Sequence, residues 1–159
     1  MSESKSYPAS DTPETPDNGE VILSLQTVHK MLPLVRRIAG DVVLRYAALA
    51  KIQPEDDKLD RQRHSLDWPS RYRRYQIKEE IANAEKELEV LLAELCELGL
   101  VCLDEAEGRI GFPTLVNNRR AYFSWVSAEK ALRSWRFADE EIDRPIPASW
   151  LKELASAAT

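Results

Sequence analysis

The sequence predicts an α+β fold, in which a long antiparallel helical hairpin with a kinked first helix packs on a small three-stranded antiparallel sheet. Apolar residues recur at three- and four-residue steps through two long segments before Gly99, as they do in amphipathic helices. After Gly99 the pattern changes to short extended runs separated by turn residues, which is typical of antiparallel strands. At 159 residues, one domain can bury roughly 68–70% of its extended-chain surface.

Charge and composition divide the chain into a tail, a domain and a second tail. The whole chain has 22 basic and 27 acidic residues, a net charge of −5. Residues 1–20 carry one lysine against five carboxylates and contain few apolar groups, so we expect a disordered acidic tail there. We expect a single α+β domain over residues 21–147 and a helical tail over residues 148–159. The residues expected to dock that tail are Trp150, Leu151 and Leu154.

Several classes of protein are excluded. No apolar run approaches the roughly 18 to 20 residues of a membrane-spanning helix, and the N-terminus lacks the apolar core of a signal peptide. Cys96 and Cys102 lie among apolar residues, where thiols act as small hydrophobic groups, and their spacing does not supply the four ligands of a zinc site. We therefore expect a cytoplasmic protein without a cofactor.

The first helix is predicted to begin after Ser24, whose hydroxyl is a typical N-cap. Pro33 lies inside the segment. Because proline removes a helix hydrogen bond, we expect a kink there, or a short helix over residues 25–32 followed by a longer one. The dipeptide Gln53-Pro54 is predicted to end the helix. The apolar stripe that follows the first proline consists of Val35, Ile38, Val42, Leu49 and Ile52.

The second helix is predicted from Trp68 to Leu98, with Asp67 as its N-cap and Gly99 as its left-handed terminator. Its length of about 45 Å exceeds the roughly 30 Å of the first helix between its two prolines. We therefore expect part of its apolar seam either to project or to meet a second copy of the chain. The seam has the a/d spacing of a coiled-coil contact, and its self-association candidates are Ile81, Leu88, Leu91 and Leu95.

Short extended segments follow the helices. Three strands are predicted, over residues 100–103, 109–116 and 119–126. The dipeptide Asn117-Asn118 tolerates the positive φ angles of a tight hairpin turn, and Pro113 marks an edge or a bulge because it lacks a backbone N–H. Ser127 is predicted to cap a short amphipathic turn that carries Leu132 and Trp135. The third-strand residues expected to cover the helices are Ala121, Phe123 and Trp125.

No catalytic residue is predicted. Only His29 and His64 titrate near neutral pH, and we interpret both as surface or packed side chains. The five glycines form no phosphate-cradling or dinucleotide-binding pattern. The acidic turn that includes Asp104 is interpreted as solvated, with a cation site as the alternative, and the carboxylates of residues 140–143 are interpreted in the same way.

The clearest candidate surface is the segment of residues 58–78. It holds seven cations against two acids, a net charge of +5, with three aromatic residues interleaved. Cations beside aromatic faces suit nucleic acid, and they also suit an acidic protein partner. The alternative is a polar hairpin tip in which tyrosines pack on the neighbouring helix and arginines pair with local acids. The candidate contact residues are Lys58, Arg61, Arg63, Trp68, Arg71, Tyr72, Arg73, Arg74 and Tyr75.

Several segments, in order along the chain, resemble the domain of unknown function 2203 family of small bacterial proteins. The resemblance spans roughly Leu23 to Pro147. It rests on the segments MLPLVRRI, LLAELCELGLVCLD, GRIGFP, NNRRAYFSW, SWRF and DRPIP. Because the family is functionally uncharacterised, the resemblance implies a helical hairpin with a small antiparallel sheet and no particular reaction.

The chain departs from the family at several positions, and three of them bear on chemistry. Members typically carry an acidic residue, a cysteine and a histidine where this chain has Gly111, Ser124 and Arg136. An Asp, Cys and His grouped by a sheet suit a metal or nucleophile site, and the resemblance does not extend that chemistry to this chain. The weakest functional alternative is a small-molecule or metal-linked enzyme. Its expected pocket residues are Asp104, Phe112, Tyr122, Trp125, Trp135 and Arg136.

The function that the sequence favours is that of a non-enzymatic cytoplasmic module for protein interaction or self-association. The long seam of the second helix and the lack of a complete catalytic constellation lead to this expectation. Nucleic-acid binding through residues 58–78 is the alternative. The expected partners are a second copy of the chain, an acidic protein or, less favoured, a nucleic acid, and no membrane.

Overall fold

The structure is a computed structural model that describes residues 21–152. It has the α+β architecture of two long helices and an antiparallel sheet. The predicted tail of residues 1–20 and the predicted docking residue Leu154 lie outside the described residues, while residues 148–152 are helical. The elements are α1 (Leu25–Arg61), α2 (Trp68–Glu97), β1 (Val101–Asp104), β2 (Arg109–Val116), β3 (Arg119–Val126), β4 (Ser134–Phe137) and β5 (Arg144–Pro145).

Helix α1 corrects the prediction for the first helix. Instead of splitting at Pro33 or ending at Pro54, it continues through both prolines to Arg61. Each proline removes the hydrogen bond to the carbonyl four residues earlier. Both prolines are exposed, and so are His29 and Ala50, which carry those carbonyls. Water can therefore hydrate the freed carbonyls, and the buried side of the helix stays intact.

The lengths of the two helices are also corrected. At 37 residues α1 is about 55 Å long, whereas the 30 residues of α2 span about 45 Å. Helix α1 therefore accompanies α2 over its whole length, and no part of α2 extends past its neighbour. The length mismatch that favoured self-association through the seam is absent.

The predicted start and terminator of α2 are confirmed, and the helix ends at Glu97, one residue before the predicted Leu98. The Asp67 side chain accepts a hydrogen bond from the Ser70 N–H at 2.9 Å, which caps the first turn. At the other end Gly99 adopts φ +83°, and the Leu100 N–H donates to the Leu95 carbonyl at 2.9 Å. The cap of α1 is confirmed as well, since Ser24 Oγ accepts from the Thr27 N–H at 3.2 Å.

The sheet within residues 21–152 has five strands in the order β1-β2-β3-β4-β5, rather than the predicted three. Ser127 does not begin an amphipathic turn that includes Trp135. The chain instead returns as β4, in which Trp135 and Phe137 lie opposite Phe123 and Ala121 of β3. The prediction was wrong because Leu132 and Trp135 are three residues apart, a spacing that also occurs within one turn of a helix. The four residues of β4 are too few to show the alternation of buried and exposed side chains that is typical of a strand.

The turns of the predicted β2–β3 hairpin are confirmed. Asn117 and Asn118 have φ angles of 55° and 62°, as a tight hairpin turn requires. Pro113 lies beyond the last β1 partner of β2, and its carbonyl accepts from the Leu23 N–H at 2.7 Å. The missing N–H of the proline is therefore tolerated at a local edge of the sheet.

One hydrophobic core joins the helices to one face of the sheet within the described residues. Trp125 is fully buried and Ala121 and Phe123 nearly so, which confirms that this face covers the helices. The buried core residues of α1 lie between Val28 and Val42, and those of α2 are Leu88 and Leu95. The opposite end of the hairpin therefore extends beyond the sheet, as a two-helix projection.

A second, smaller apolar contact stabilises this projection. Ile77 of α2 is 0% exposed and Leu59 of α1 is 9% exposed, although neither belongs to the main core. Two residues earlier, Tyr75 lies on the outer side of α2 with 63% of its surface exposed.

We expect Ile77→Ala to lower the free energy of unfolding by about 3 kcal/mol, because it opens a cavity between the helices. Tyr75→Ala, the matched control on the same helix, is expected to change it by less than about 0.5 kcal/mol. Urea denaturation followed by circular dichroism measures both. Equal losses in the two variants would contradict the assignment of buried and exposed faces.

Candidate functional site

The end of the hairpin carries an exposed aromatic stripe on α2. Trp68, Tyr72 and Tyr75 follow one another at four- and three-residue steps, so they share one face of the helix. Their exposed fractions are 67%, 53% and 63%. The rings of Trp68 and Tyr72 are stacked, with centroids 5.6 Å apart and planes 3° from parallel. The interpretation in which these tyrosines pack on the neighbouring helix is therefore wrong, and the stripe faces solvent.

Several of the basic residues at the tip are paired with acids of α1. Arg73 binds the Glu55 carboxylate with two guanidinium nitrogens, at 3.0 and 3.1 Å. Arg74 donates to Asp60 at 2.9 Å. The interpretation that arginines pair with local acids is confirmed for these residues, and the tip is less basic in three dimensions than residues 58–78 are in sequence.

Lys78 joins two carboxylates of α1. Its ammonium lies 2.9 Å from Asp60 Oδ2 and 2.9 Å from Asp56 Oδ1, and the Asp56 side chain is only 7% exposed. Hydrogen bonds from Lys78 and then Arg74 hold the pKa of Asp60 below its usual range. The hydrogen bond to Asp60, and after it the one to Asp56, raises the pKa of Lys78. This network ties the last turns of α1 to the first turns of α2.

Other cations at the tip form no salt bridge within the described residues, although Lys58 acts electrostatically on Glu55 and Arg71 on Asp67. Lys58, Arg61 and Arg71 are exposed and make no ion pair with any residue between 21 and 152. Arg63 donates to the backbone carbonyl of Asp60 at 3.3 Å. The nine predicted contact residues thus lie in the last turns of α1, the connecting loop and the first turns of α2. The surface they offer combines three aromatic side chains with four cations that form no salt bridge within the described residues.

The predicted self-association seam lies on the other side of α2. Leu88 and Leu95 are 8% and 1% exposed and belong to the core shared with α1. Ile81 and Leu91 are half-buried. The seam therefore serves the contact between the two helices of one chain.

The six predicted pocket residues are not brought together. Phe112, Trp125 and Trp135 are buried on the helix-facing side of the sheet. Tyr122 and Arg136 lie opposite each other on the outer face. Asp104 ends β1, where its carboxylate accepts from the Ala106 N–H at 2.9 Å. Of the six, only Tyr122 lines a small surface depression, which has room for little more than water and also includes Ile22, Pro113, Thr114, Arg120, Ala121 and Ala138.

The outer face of the sheet holds a polar network that the sequence did not indicate. Asp143 Oδ2 accepts from Arg109 at 2.6 Å and from the Ser124 hydroxyl at 3.1 Å, and Asp143 Oδ1 accepts from Arg136 at 2.7 Å. Ser124 is fully buried beneath these side chains and lies opposite Gly111. The three positions at which the chain departs from its resemblance therefore lie close together on this face.

The network fastens β5 to the rest of the sheet. Its residues come from β2, β3, β4 and the residue before β5, and both oxygens of Asp143 are engaged. Burial opposes the charge of Arg109, but the carboxylates of Glu107 and Asp143 outweigh it and raise the pKa of Arg109. Both oxygens of Asp143 are occupied by donors from the neighbouring strands, so this arrangement supports the fold. One partial signal was an arginine flanked by apolar strand residues, because such an arginine needs an acidic partner. No sequence pattern identified Asp143 as that partner.

Two further properties bear on the class of the site. Within residues 21–152 no three side chains among His, Cys, Asp and Glu form a group able to hold a metal ion. Neither α1 nor α2, the long helices of that part of the chain, has an apolar stretch of the length and hydropathy needed to cross a membrane.

Fold and surface together define an α+β protein in which a helical hairpin carries a five-stranded antiparallel sheet and exposes an aromatic tip. The sequence of residues 22–143 matches the family described as "Uncharacterized conserved protein (DUF2203)". The chain belongs to this family, which confirms the resemblance noted in its motifs. Comparisons with curated proteins and with solved structures gave no match.

We expect Asp143→Asn to lower the free energy of unfolding by about 3 kcal/mol, because it leaves the largely buried Arg136 without its counterion and leaves Arg109 with Glu107 as its only carboxylate partner. Glu141→Gln is the control, since Glu141 is exposed in the same loop, and it is expected to have an effect of less than about 0.5 kcal/mol. Thermal denaturation at matched pH compares the two. A similar loss of stability in both variants would contradict the assigned role of Asp143 as the carboxylate that binds Arg109 and Arg136.

The tip network predicts a pH dependence with a definite sign. Because the pKa of Asp60 is lowered in the folded chain from its ordinary value of 3.8, its stabilisation is present above about pH 4 and disappears as the pH falls through the folded value. Because the pKa of Lys78 is raised, its contribution is lost only as the pH rises through that higher value. Carboxyl NMR should give Asp60 a midpoint below 3.8, and Lys78→Met should move it upward. An unchanged midpoint would contradict the network.

Proposed function

We propose that this chain is a protein-interaction module that uses the exposed aromatic stripe of α2 as its contact surface. The observation that carries the proposal is the exposure of Trp68, Tyr72 and Tyr75 on one helix face, at the end of the hairpin farthest from the sheet. These side chains do not belong to the hydrophobic core of residues 21–152, so packing within the chain does not explain why they are aromatic. Exposed apolar groups in a contiguous set mark interaction sites in soluble proteins.

The residue types at the tip support protein contact. Trp, Tyr and Arg are the residues that contribute most to binding energy at protein interfaces. The stacked Trp68 and Tyr72 rings hold each other in place, so less side-chain entropy is lost when a partner binds. Arg71 lies beside them without an ion pair to any described residue, and it can meet a carboxylate of a partner.

The compartment we propose is the cytoplasm. Cys96 and Cys102 are both free thiols, which suits a reducing environment. Burial and the nearby Glu105 raise the pKa of Cys102 to about 11. That thiol therefore stays protonated at neutral pH and is a poor nucleophile.

A second candidate function is binding of single-stranded nucleic acid at the same tip. It is favoured by Lys58, Arg61 and Arg71, which are exposed at the same end of the hairpin as rings on which bases can stack and form no salt bridge within the described residues. The pairing of Arg73, Arg74 and Lys78 with acids of α1 counts against it, since those cations are already neutralised. Binding to an oligonucleotide that weakens steeply with salt, and is lost on changing Arg71 to Glu, would favour this candidate.

Site-specific photo-crosslinking tests the proposed contact surface in the full chain. A benzophenone amino acid replaces Tyr72 in cells, and a matched chain carries it at Lys130, which is also exposed but lies next to the sheet. We expect a discrete protein adduct from position 72 only, and its loss when Trp68 and Tyr75 are both changed to Ala.

The outcomes separate the candidates. Peptide sequencing of the adduct identifies the partner, including a second copy of this chain. Adducts of equal yield at positions 72 and 130 would overturn the proposal, because the stripe would then be no more a contact surface than the rest of the molecule. An adduct with nucleic acid instead of protein would favour the second candidate.

A further inference from the structure

The outward face of α2 has opposite charge at its two ends once the ion pairs within the chain are taken into account. Near its start, Arg71 is exposed and forms no salt bridge within residues 21–152, although it acts electrostatically on Asp67 one turn earlier. Lys58 and Arg61, in the last turns of α1, are also exposed and form no salt bridge there. Farther along, Glu80 approaches Arg73 and Glu87 pairs with Arg45. Five exposed acids have no cation partner in the described chain, and they are Glu79, Glu85, Glu89, Glu94 and Glu97.

The aromatic stripe continues along α2 into the part of the helix that carries these acids. Steps of three and four residues carry the stripe from Tyr75 to Glu79 and on to Ala82, Lys86 and Val90. Ala82 is small and exposed, and Val90 is 54% exposed. The outward face therefore has bulky aromatic groups and a cation at one end. At the other end it has small or apolar groups and one cation, Lys86, with several acids beside them.

We propose that the occupant of this face is a second copy of the chain, docked with its α2 antiparallel to the first. This inference rests on the proposed function, because it uses the same aromatic stripe, and it specifies the partner. A two-fold axis makes each residue i contact residue j while j contacts i. The basic aromatic end of each α2 then meets the acidic, small-residue part of the other, and both contacts form twice.

The antiparallel arrangement pairs specific groups. In antiparallel helix pairs, the same flank of the two helices meets. Arg71, Glu85 and Glu89 lie on one flank of α2 at steps that are multiples of three and four residues. Arg71 can therefore reach Glu85 or Glu89 of the partner subunit. The Trp68–Tyr72 stack lies over the region of Ala82, where the small side chain leaves room for the rings.

The size of this face predicts a weak, concentration-dependent dimer. In this register about 20 residues of each α2 overlap, which gives a strip about 30 Å long and about 10 Å wide, or roughly 300 Å² per copy, less than the roughly 800 Å² of a standard stable interface. A Kd on the order of 10 µM fits such a contact. Because exposed charges contribute to the contact, association should weaken as salt shortens the Debye length.

Analytical ultracentrifugation of the full chain with exchanged charges tests the proposal. We expect a monomer–dimer equilibrium for the wild type, a Kd about tenfold higher for Arg71→Glu, and a similar loss for the double variant Glu85→Arg with Glu89→Arg. Each variant alone sets like charges against each other across the two-fold axis. An equimolar mixture of the two variants should recover wild-type affinity, because every contact in the mixed dimer then joins opposite charges.

The controls distinguish this inference from the proposed function. Trp68→Ala with Tyr75→Ala should also weaken the dimer, while Lys130→Glu should not. A wild-type chain that stays strictly monomeric at hundreds of micromolar and low salt overturns the inference, and so does a mixture that associates no better than its components. If position 72 nevertheless crosslinks to a different protein, the contact surface stands and only the identity of the partner is wrong.

Discussion

The contact between α1 and α2 is the interaction on which the rest of the structure depends. Val28 and Val35 of α1 are 0% exposed and Leu95 of α2 is 1% exposed, and all three belong to the core that also holds Trp125 of the sheet. Because β1 begins shortly after α2 ends, through the Gly99 terminator, the direction of α2 also sets the direction of the sheet. The helices therefore supply both the surface and the starting point for the strands.

The same contact leaves one end of the molecule without a second layer. The sheet covers only part of the hairpin, so the tip is stabilised by Ile77, Leu59 and the carboxylates that bind Arg73, Arg74 and Lys78. Those ion pairs cross between the helices, which uses the acids of α1 to neutralise much of the basic segment of α2. The net charge of −5 thus conceals a basic segment, and several cations of that segment are paired with acids of the same chain.

Residues in regular, amphipathic segments could be placed from the sequence, whereas partners distant in the chain could not. The caps at Ser24 and Asp67 and the turn at Asn117 follow from local hydrogen bonding and allowed φ angles, so they were predictable. The bond between Arg109 and Asp143 joins residues 34 apart. It exists only because four strands align their side chains across one face, and no local pattern encodes that alignment.

The sequence by itself determined the class of fold, the position of α2, the β2–β3 hairpin and the family. It also predicted the nine candidate contact residues of the tip, because basic and aromatic residues are concentrated in residues 58–78. The tertiary structure decided which of those residues face solvent, since Trp68, Tyr72 and Tyr75 lie opposite the side of α2 that contacts α1. It also decided that α1 continues past Pro54, because the lost hydrogen bond lies on the solvent side while the packing of Leu59 keeps the other side helical.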